Sequence, residues 1–202
     1  GVHFSSDAVK LAVDHNIDIV MLDRHGDPYG RFWLAKMGST AAVRRRQIAF
    51  ADTAEGMEPV REWTLAKLRN QREFLSELGR RRPKRQPEFD RVVETITAQE
   101  DKLAALDGTV EERRQQILGT EGAAAASYWR LIGSLPPCNF QFTARSHHPA
   151  RDAFNAMLNY SYGVLYSEIE RACIVAGLDP FVGFVHTDNY NKKSLVFDLI
   201  EP

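Results

Sequence analysis

Hydrophobic residues follow two patterns along this chain, short β-branched runs near the start and helical spacing over most of the remainder. Ser6 and Asp7 precede a short amphipathic segment, which predicts a first helix. The apolar runs at 17–22 and 31–35 predict two strands, because a turn-rich segment separates them. From Ala41 onward the chain is rich in Ala, Arg, Glu and Leu, and this composition favours helix.

Prolines and glycines divide the helical part. Two prolines interrupt it within the basic segment 80–87, Pro136 and Pro137 end a later helix, and Gly177 follows the next. The predicted helices are 41–78, 88–106, 109–133, a buried one at 153–176, and a short one from Ser194. The predicted fold class is α+β, with residues 1–38 as the end of a small N-terminal β-rich domain. Residues 39–202 form a mainly helical second domain, and we expect both domains to be truncated.

Composition limits the classes of protein to which the chain can belong. Its 44% hydrophobic content supports a real core, while 26 basic against 27 acidic residues restrict any nucleic-acid surface to a local patch. Cys138 and Cys173 show no metal-binding spacing and suit buried thiols in a reducing compartment. No apolar run approaches the roughly 18 residues of a membrane span. We therefore expect a soluble, intracellular protein.

Glu121 is the first candidate for chemistry, because it lies between Gly119 and Gly122 and beside four alanines. A carboxylate surrounded by residues without bulk has room for an ion and a substrate. The structural alternative is a glutamate in the first turn of a helix after Thr120, where the helix dipole favours an acid.

Three further candidates lie near the end of the chain. His186 follows an apolar run, where a histidine can also be purely structural. Asp198 and Glu201 are three residues apart and therefore share one face of the predicted last helix. Acids on a helix are commonly solvated, but the apolar neighbours of these two leave little room for water, so they need a partner. One imidazole with several carboxylates favours Mg²⁺ or Mn²⁺ over structural zinc.

Other catalytic patterns are missing from the sequence. It contains no phosphate-binding GxxxxGK[ST] loop, no G-x-S-x-G elbow and no HExxH motif. His147 and His148 are followed by Pro149, which disfavours a tandem-histidine phosphohydrolase. Basic residues cluster at Arg44–Arg46 and within 80–87, and the second cluster is either a solvated loop or a DNA-facing one.

Three stretches together resemble a known family. "EGAAAASYW", "FTARSHHPARDAFNAMLNYSYGVLYSEI" and "AGLDPFVGFVHTDNYNKKSLVFDLIEP" are similar in order and spacing to the CRISPR-associated endonuclease and integrase, the Cas-one family. The opening "GVHFSSDAVKLAVDHNIDIVMLDRHGDPYGR" resembles the end of that family's N-terminal β domain. The resemblance covers nearly the whole chain, more loosely between 50 and 115. Family chains begin earlier and continue further, so we expect this one to be part of a longer polypeptide.

The resemblance implies a DNA integrase that inserts spacers into a CRISPR array, with a DNA 3′-hydroxyl attacking a phosphodiester. It implies Glu121, His186 and Glu201 as ligands of Mg²⁺ or Mn²⁺ and Asp198 as a further catalytic acid. It also places the connector "HHPARD" near the active face, and the candidate DNA contacts are Arg145, Arg151, Asn155 and Tyr128. The implied partners are double-stranded DNA, a second copy of the chain and a dimer of a small ferredoxin-like Cas protein. Some family members are fused to a RecB-type nuclease.

Two alternatives to the integrase stay open at this point. The chain could belong to a general metal-dependent nuclease or phosphohydrolase, which would cleave with water and transfer no strand. It could also be a non-catalytic DNA-binding scaffold that keeps the fold. Intact acids and an intact histidine disfavour the scaffold, because a protein that only binds DNA has no need of them.

Overall fold

The structure is a computed structural model that describes residues 2–15, 17, 19–22, 28–32, 41–137, 140, 142, 144–147, 149–186 and 192–200. Most of the described residues are helical, and the strands form one antiparallel pair. The elements are α1 (Ser6–Asp14), β1 (Ile19–Leu22), β2 (Pro28–Phe32), α2 (Ala41–Ala51), α3 (Met57–Arg80), α4 (Gln86–Ala104), α5 (Val110–Gly133), α6 (Ala153–Val175) and α7 (Ser194–Leu199).

The N-terminal part contains two strands, as the sequence predicts, but their bounds differ from the prediction. Helix α1 begins after Ser5, whose hydroxyl accepts a hydrogen bond from the Ala8 backbone N–H at 3.1 Å. The first predicted strand is confirmed as β1, but β2 begins at Pro28, and residues 33–35 of the second predicted strand lie outside the described residues. Among the described N-terminal residues there are one helix and one hairpin, which do not make a β-rich domain. The predicted fold class is therefore correct in its helical part only.

The predicted helix over 41–78 is two helices, with a break at residues 52–56. The Thr53 hydroxyl donates to the Phe50 carbonyl at 2.8 Å and accepts from the Gly56 backbone N–H at 3.2 Å. A Cβ at Gly56 would lie 2.5 Å from the Phe50 carbonyl oxygen, so only glycine allows the chain to turn this closely. The break separates α2 from the long helix α3.

Helices α3, α4 and α5 pack through apolar side chains that recur every seven residues. Seven residues make nearly two helical turns, so such a repeat returns to one face of a helix. The repeat consists of fully buried side chains: Leu68 and Leu75 on α3, Phe89, Ile96 and Leu103 on α4, and Val110, Ile117 and Ala124 on α5. This three-helix core fixes the faces on which polar residues can reach the site.

The predicted ends of these helices are largely confirmed. Thr109 begins α5 through a capping box: its hydroxyl accepts from the Glu112 backbone N–H at 3.3 Å, and the Glu112 carboxylate accepts from the Thr109 backbone N–H at 2.9 Å. The loop within the basic segment 80–87 is shorter than the sequence predicts. A 3-10 turn at Pro83–Arg85 occupies its middle, and α4 begins directly afterwards at Gln86.

Helix α6 is less buried than its apolar spacing predicts. Among its residues only Asn155 and Cys173 are buried, whereas Met157 and Tyr160 are 67% and 65% exposed. The prediction of a buried helix is therefore wrong, because only one side of α6 packs against the rest of the described protein. The predicted glycine stop is confirmed, since Gly177 follows the helix with φ +80°.

The segment 178–186 is attached to both ends of the helical domain. Gln47 on α2 is buried, and its amide donates to the carbonyls of Asp179 and Val182 at 2.9 and 2.8 Å. Gly183 passes so close to α7 that a Cβ there would lie 2.6 Å from Ser194 Cβ. No described helix is both long and apolar enough to cross a membrane.

Candidate active site

An open cleft lies between α3, α5, α7 and the end of segment 178–186. It brings together Glu121, His186 and Asp198, which the sequence singled out from positions up to 77 residues apart. The full set of lining residues is Val60, Trp63, Thr64, Lys67, Glu121, Val185, His186, Phe197 and Asp198. Glu201 lies outside the described residues, so its predicted role stays a prediction.

Glu121 lies in the middle of α5, eleven residues after its first residue, Val110. The structural alternative of a first-turn glutamate is therefore wrong, because the dipole effect fades within one turn of the helix end. The helix surface beside it is open, since a Cβ at Gly119 or Gly122 would meet no atom within 4 Å. The carboxylate is 22% exposed and forms an ion pair with the Lys67 ammonium.

Asp198 holds the backbone and the ring of His186. Its carboxylate is 1% exposed and accepts from the backbone N–H groups of Phe184 and Val185 at 2.6 and 3.2 Å. It also accepts from the His186 backbone N–H at 3.0 Å and lies 2.7 Å from the ring Nδ1. A carboxylate can only accept, so Nδ1 carries the hydrogen and Nε2 is the ring atom with a lone pair for a ligand.

Arg114, which sequence reasoning missed, holds the same segment from the opposite side. Its guanidinium donates to the Phe184 carbonyl at 3.1 Å and to the Val185 carbonyl. It lies seven residues before Glu121 on α5, so both side chains emerge on one face of the helix. In segment 184–186, the three backbone N–H groups therefore donate to Asp198, and two of the carbonyls accept from Arg114. In the sequence, the seven-residue spacing from Glu121 was the feature that could have indicated a role for Arg114.

Lys67 is the second residue that sequence reasoning missed. It occupies the face of α3 that also carries Val60 and Thr64, and its side chain is only 10% exposed. Lysine rarely lies this deep without an anion, so a lysine within an apolar helical stripe was the available signal.

The chemistry of the donor set fits a divalent cation. The Glu121 carboxylate and His186 Nε2 both belong to the cleft, and Asp198 on the other ring nitrogen is the arrangement usual behind metal-binding histidines. Within the described part of the chain, no three His, Cys, Asp or Glu side chains are grouped closely enough to hold an ion. A third protein ligand would therefore have to come from a residue such as Glu201.

Two of the predicted DNA contacts are used inside the protein. Asn155 is 0% exposed, and its side chain bonds to the Ala144 carbonyl, the Ser146 backbone N–H, Asp152 and Arg145 at 2.6–3.0 Å. We therefore correct its assignment, because a buried amide with these partners cannot reach DNA. It fastens the connector to the start of α6.

Arg145 is only partly available for DNA. Its guanidinium donates to Asn159 at 2.6 Å and lies 5.6 Å from the centre of the Tyr162 ring. Burial lowers the pKa of Arg145, while Tyr162 and Asp152 act in the opposite direction. Burial raises the pKa of Tyr162, which also senses both Arg145 and Glu121. The connector thus contacts Tyr162 on α6 through Arg145, and its place beside the active face stays a prediction.

The remaining predicted DNA contacts differ in exposure. Arg151 is exposed, and its backbone N–H donates to the Ser146 hydroxyl at 3.0 Å. Tyr128 is half-buried, with its ring centre 5.0 Å from that of Trp129, and burial raises the pKa of its hydroxyl to about 12. Arg151 is therefore the better placed of the two for a phosphate.

Arginines of the 80–87 segment already have partners. Arg81 forms an ion pair with Glu77, and Arg85 pairs with Glu88 at 2.7 Å and donates to the Ser134 hydroxyl at 2.8 Å. Both pairs are largely exposed and contribute little to stability. These contacts favour the solvated-loop interpretation of the segment over a dedicated DNA-binding loop.

Comparison with known proteins gives consistent matches. The family model described as CRISPR associated protein Cas1 matches residues 1–202. The chain is 35% identical over 211 residues to the CRISPR-associated endonuclease Cas1 1 of Archaeoglobus fulgidus, covering 98% of this chain and 60% of that protein. It is 34% identical over 206 residues to the CRISPR-associated endonuclease Cas1 1 of Pyrobaculum aerophilum, covering 100% and 63%. The chain thus spans about three-fifths of the length of these relatives.

Solved structures share the architecture. A casposase bound to its integration product superposes with a TM-score of 0.75 at 28% identity, covering 98% of this chain and 53% of that one. A Cas1 protein from Thermotoga maritima gives 0.74 at 20% identity, covering 98% and 59%. A Cas6-RT-Cas1–Cas2 complex gives 0.76 at 21% identity, covering 98% and 21%. The last two show similarity of fold alone.

Proposed function

Since the chain belongs to the CRISPR-associated Cas1 family, we propose that it carries the catalytic site of a metal-dependent DNA integrase and endonuclease. The protein would insert new spacer DNA into a CRISPR array as part of antiviral defence. The observation that carries the proposal is the convergence of Glu121 and His186 on one cleft, with Asp198 buried behind the histidine.

The roles of the residues follow from their surroundings. Glu121 and His186 Nε2 would hold Mg²⁺ or Mn²⁺, and the sequence resemblance adds Glu201 as a third ligand. Such an ion neutralises phosphate charge and lowers the pKa of a bound hydroxyl or water. Asp198 keeps the proton on His186 Nδ1, which presents the Nε2 lone pair to the cleft. Arg114 fixes the backbone from which that ring projects.

The chemistry needs no nucleophile from the protein. A 3′-hydroxyl of the incoming DNA attacks the phosphorus at the repeat boundary, a new P–O bond forms, and the bond to the neighbouring nucleotide breaks. The protein then contributes position and charge, which dominate catalysis of phosphoryl transfer. This division of labour agrees with a cleft lined by an acid, a histidine and a lysine.

We also propose DNA and protein partners. DNA as a partner is supported by the casposase neighbour, which is described as bound to an integration product, and the sequence resemblance makes that DNA double-stranded. A Cas2-type partner is supported by the neighbour described as a Cas6-RT-Cas1–Cas2 complex, and the sequence resemblance makes that partner a dimer of a small ferredoxin-like protein. Self-association into a dimer, completion of a β-rich N-terminal domain and fusion to a RecB-type nuclease rest on the sequence resemblance.

A strand-transfer assay tests the proposal against its rivals. The whole protein is mixed with labelled duplex DNA and a supercoiled plasmid carrying a repeat, with Mn²⁺ or with EDTA. We expect label to join the plasmid in Mn²⁺ only, and Glu121→Gln to abolish joining. Cleavage without joining would identify a hydrolytic nuclease, binding without either reaction would identify a scaffold, and joining in EDTA would reject the metal.

A further inference from the structure

Lys67 and Glu121, which are 54 residues apart in sequence, form an ion pair in the wall of the cleft. Building on the proposed function, we propose that Lys67 is the counter-ion of Glu121 while the site lacks metal and a phosphate-binding residue once metal is present. The lysine would leave the carboxylate when a divalent cation binds it and would then contact a phosphate oxygen of the DNA.

The ion pair between Lys67 and Glu121 is strong because both side chains are largely buried. The Lys67 side chain is 10% exposed and the Glu121 side chain 22%, so water screens neither charge well. An ammonium at that depth requires an anion nearby, and a carboxylate at that depth requires a cation. The same carboxylate cannot hold Lys67 and a divalent cation at close range, because the two positive charges would repel each other in a weakly screened cleft. Lys67 and the metal therefore compete for Glu121.

The Lys67 ammonium can turn from Glu121 to another anion that enters the same cleft. A lysine carries its charge on a flexible four-carbon stem and binds phosphate as a point charge. A DNA phosphate beside Glu121 and His186 would be such an anion. The displaced ammonium would then stabilise the phosphate at which the strands are exchanged.

Lys67 couples the binding of the metal ion to the binding of DNA, because it competes with the metal for Glu121 and is attracted by a DNA phosphate. A DNA phosphate would draw Lys67 away from Glu121, which raises metal affinity. By thermodynamic reciprocity, metal raises DNA affinity by the same factor. Coupled ligands commonly change each other's affinity by roughly 5- to 150-fold. The lysine would thus favour metal loading where DNA is already present.

Calorimetric Mn²⁺ titration of the whole protein tests this coupling, with and without a short duplex. The duplex ends in 3′-dideoxynucleotides, which cannot be transferred. Lys67→Met keeps the unbranched side chain at nearly the same length and removes its charge. Arg72→Met is the matched control, because Arg72 lies on the same helix and pairs with Glu100 at 2.8 Å away from the cleft.

We expect Lys67→Met to bind Mn²⁺ at least about five-fold more tightly than the unaltered protein when DNA is absent, since a competitor is gone. DNA should raise Mn²⁺ affinity in the unaltered protein and in Arg72→Met, but much less in Lys67→Met. Melting temperatures give a second readout, which can still be used if a variant is less stable than the unaltered protein. Mn²⁺ should raise the melting temperature of Lys67→Met more than that of Arg72→Met.

The outcomes separate this inference from the proposed function. Unchanged or weaker Mn²⁺ binding by Lys67→Met, alongside Mn²⁺ binding that Glu121→Gln abolishes, overturns the counter-ion role and leaves the metal site standing. Mn²⁺ binding that is unaffected by Glu121→Gln overturns both. Equal enhancement by DNA in Lys67→Met and Arg72→Met overturns the transfer of the lysine to phosphate.

Discussion

A single oxygen of Asp198 accepts from both the backbone N–H and the ring of His186, at 3.0 and 2.7 Å. Backbone and side chain of the histidine are therefore fixed by one buried carboxylate. The other Asp198 oxygen accepts from the backbone N–H groups of Phe184 and Val185. Asp198 thus supports the histidine from behind, and its carboxylate is already occupied by four hydrogen bonds.

Asp198→Ala should lower the catalytic rate more than it lowers metal affinity. The variant should also lose about 3–5 kcal/mol of unfolding free energy, because buried donors lose a charged acceptor. Glu201→Ala, in contrast, should lose metal affinity by about 10–100-fold or more. Calorimetric Mn²⁺ titration, strand-transfer rates and urea unfolding of both variants measure these effects. Loss of metal binding in Asp198→Ala with retention in Glu201→Ala would show that the two roles are reversed.

Glu121→Gln and Glu121→Ala should both abolish strand transfer, since each removes the carboxylate. They should differ in stability, because glutamine keeps an oxygen that can accept from Lys67. We expect alanine to cost about 1–3 kcal/mol of unfolding free energy, less than a fully buried pair would, because Glu121 is 22% exposed. Thermal melting of the two variants checks the difference. Full activity in Glu121→Gln would exclude Glu121 as a ligand.

Arg114→Met should slow strand transfer while leaving DNA affinity nearly unchanged. The substitution removes the donors to the Phe184 and Val185 carbonyls and so loosens the backbone that carries His186. Misplacing a catalytic group by about 1 Å can cost about 100-fold in rate. Arg113→Met is the control, since Arg113 donates to the Asp107 carbonyl at 2.7 Å, away from this segment. Equal strand-transfer rates for the two variants would show that Arg114 does not position the site.

Arg151→Glu should weaken DNA binding without lowering the melting temperature, because Arg151 is exposed. Arg145→Met should instead lower the melting temperature, since its guanidinium donates to the Asn155 and Asn159 side chains. DNA affinity measured over a range of salt concentrations should show a shallower slope for Arg151→Glu. Charge reversal of Arg81 is the control, and we expect it to weaken binding less. An equal loss there would place the DNA path along the 80–87 segment.

Local signals in the sequence predicted the helices well. Thr109 with Glu112 and Gly177 mark helix ends through contacts with residues next to them in the chain, so the sequence alone is sufficient. The break at 52–56 was missed because it depends on the close approach of Gly56 to the Phe50 carbonyl. The exposure of α6 was missed for a different reason, since apolar spacing indicates a helix but does not reveal how many of its sides are covered.

Residue types and motif order determined, from the sequence alone, which side chains were candidates for the site: Glu121, His186, Asp198 and Glu201. Only the tertiary structure decided what surrounds them. Lys67 reaches Glu121 across 54 residues and Arg114 reaches Val185 across 71, and no local pattern encodes such pairs. Burial likewise turned Asn155 from a candidate DNA contact into an internal anchor. The physical reason is that a buried charge or amide must be satisfied by whichever partner the fold brings near, and packing of distant helices selects that partner.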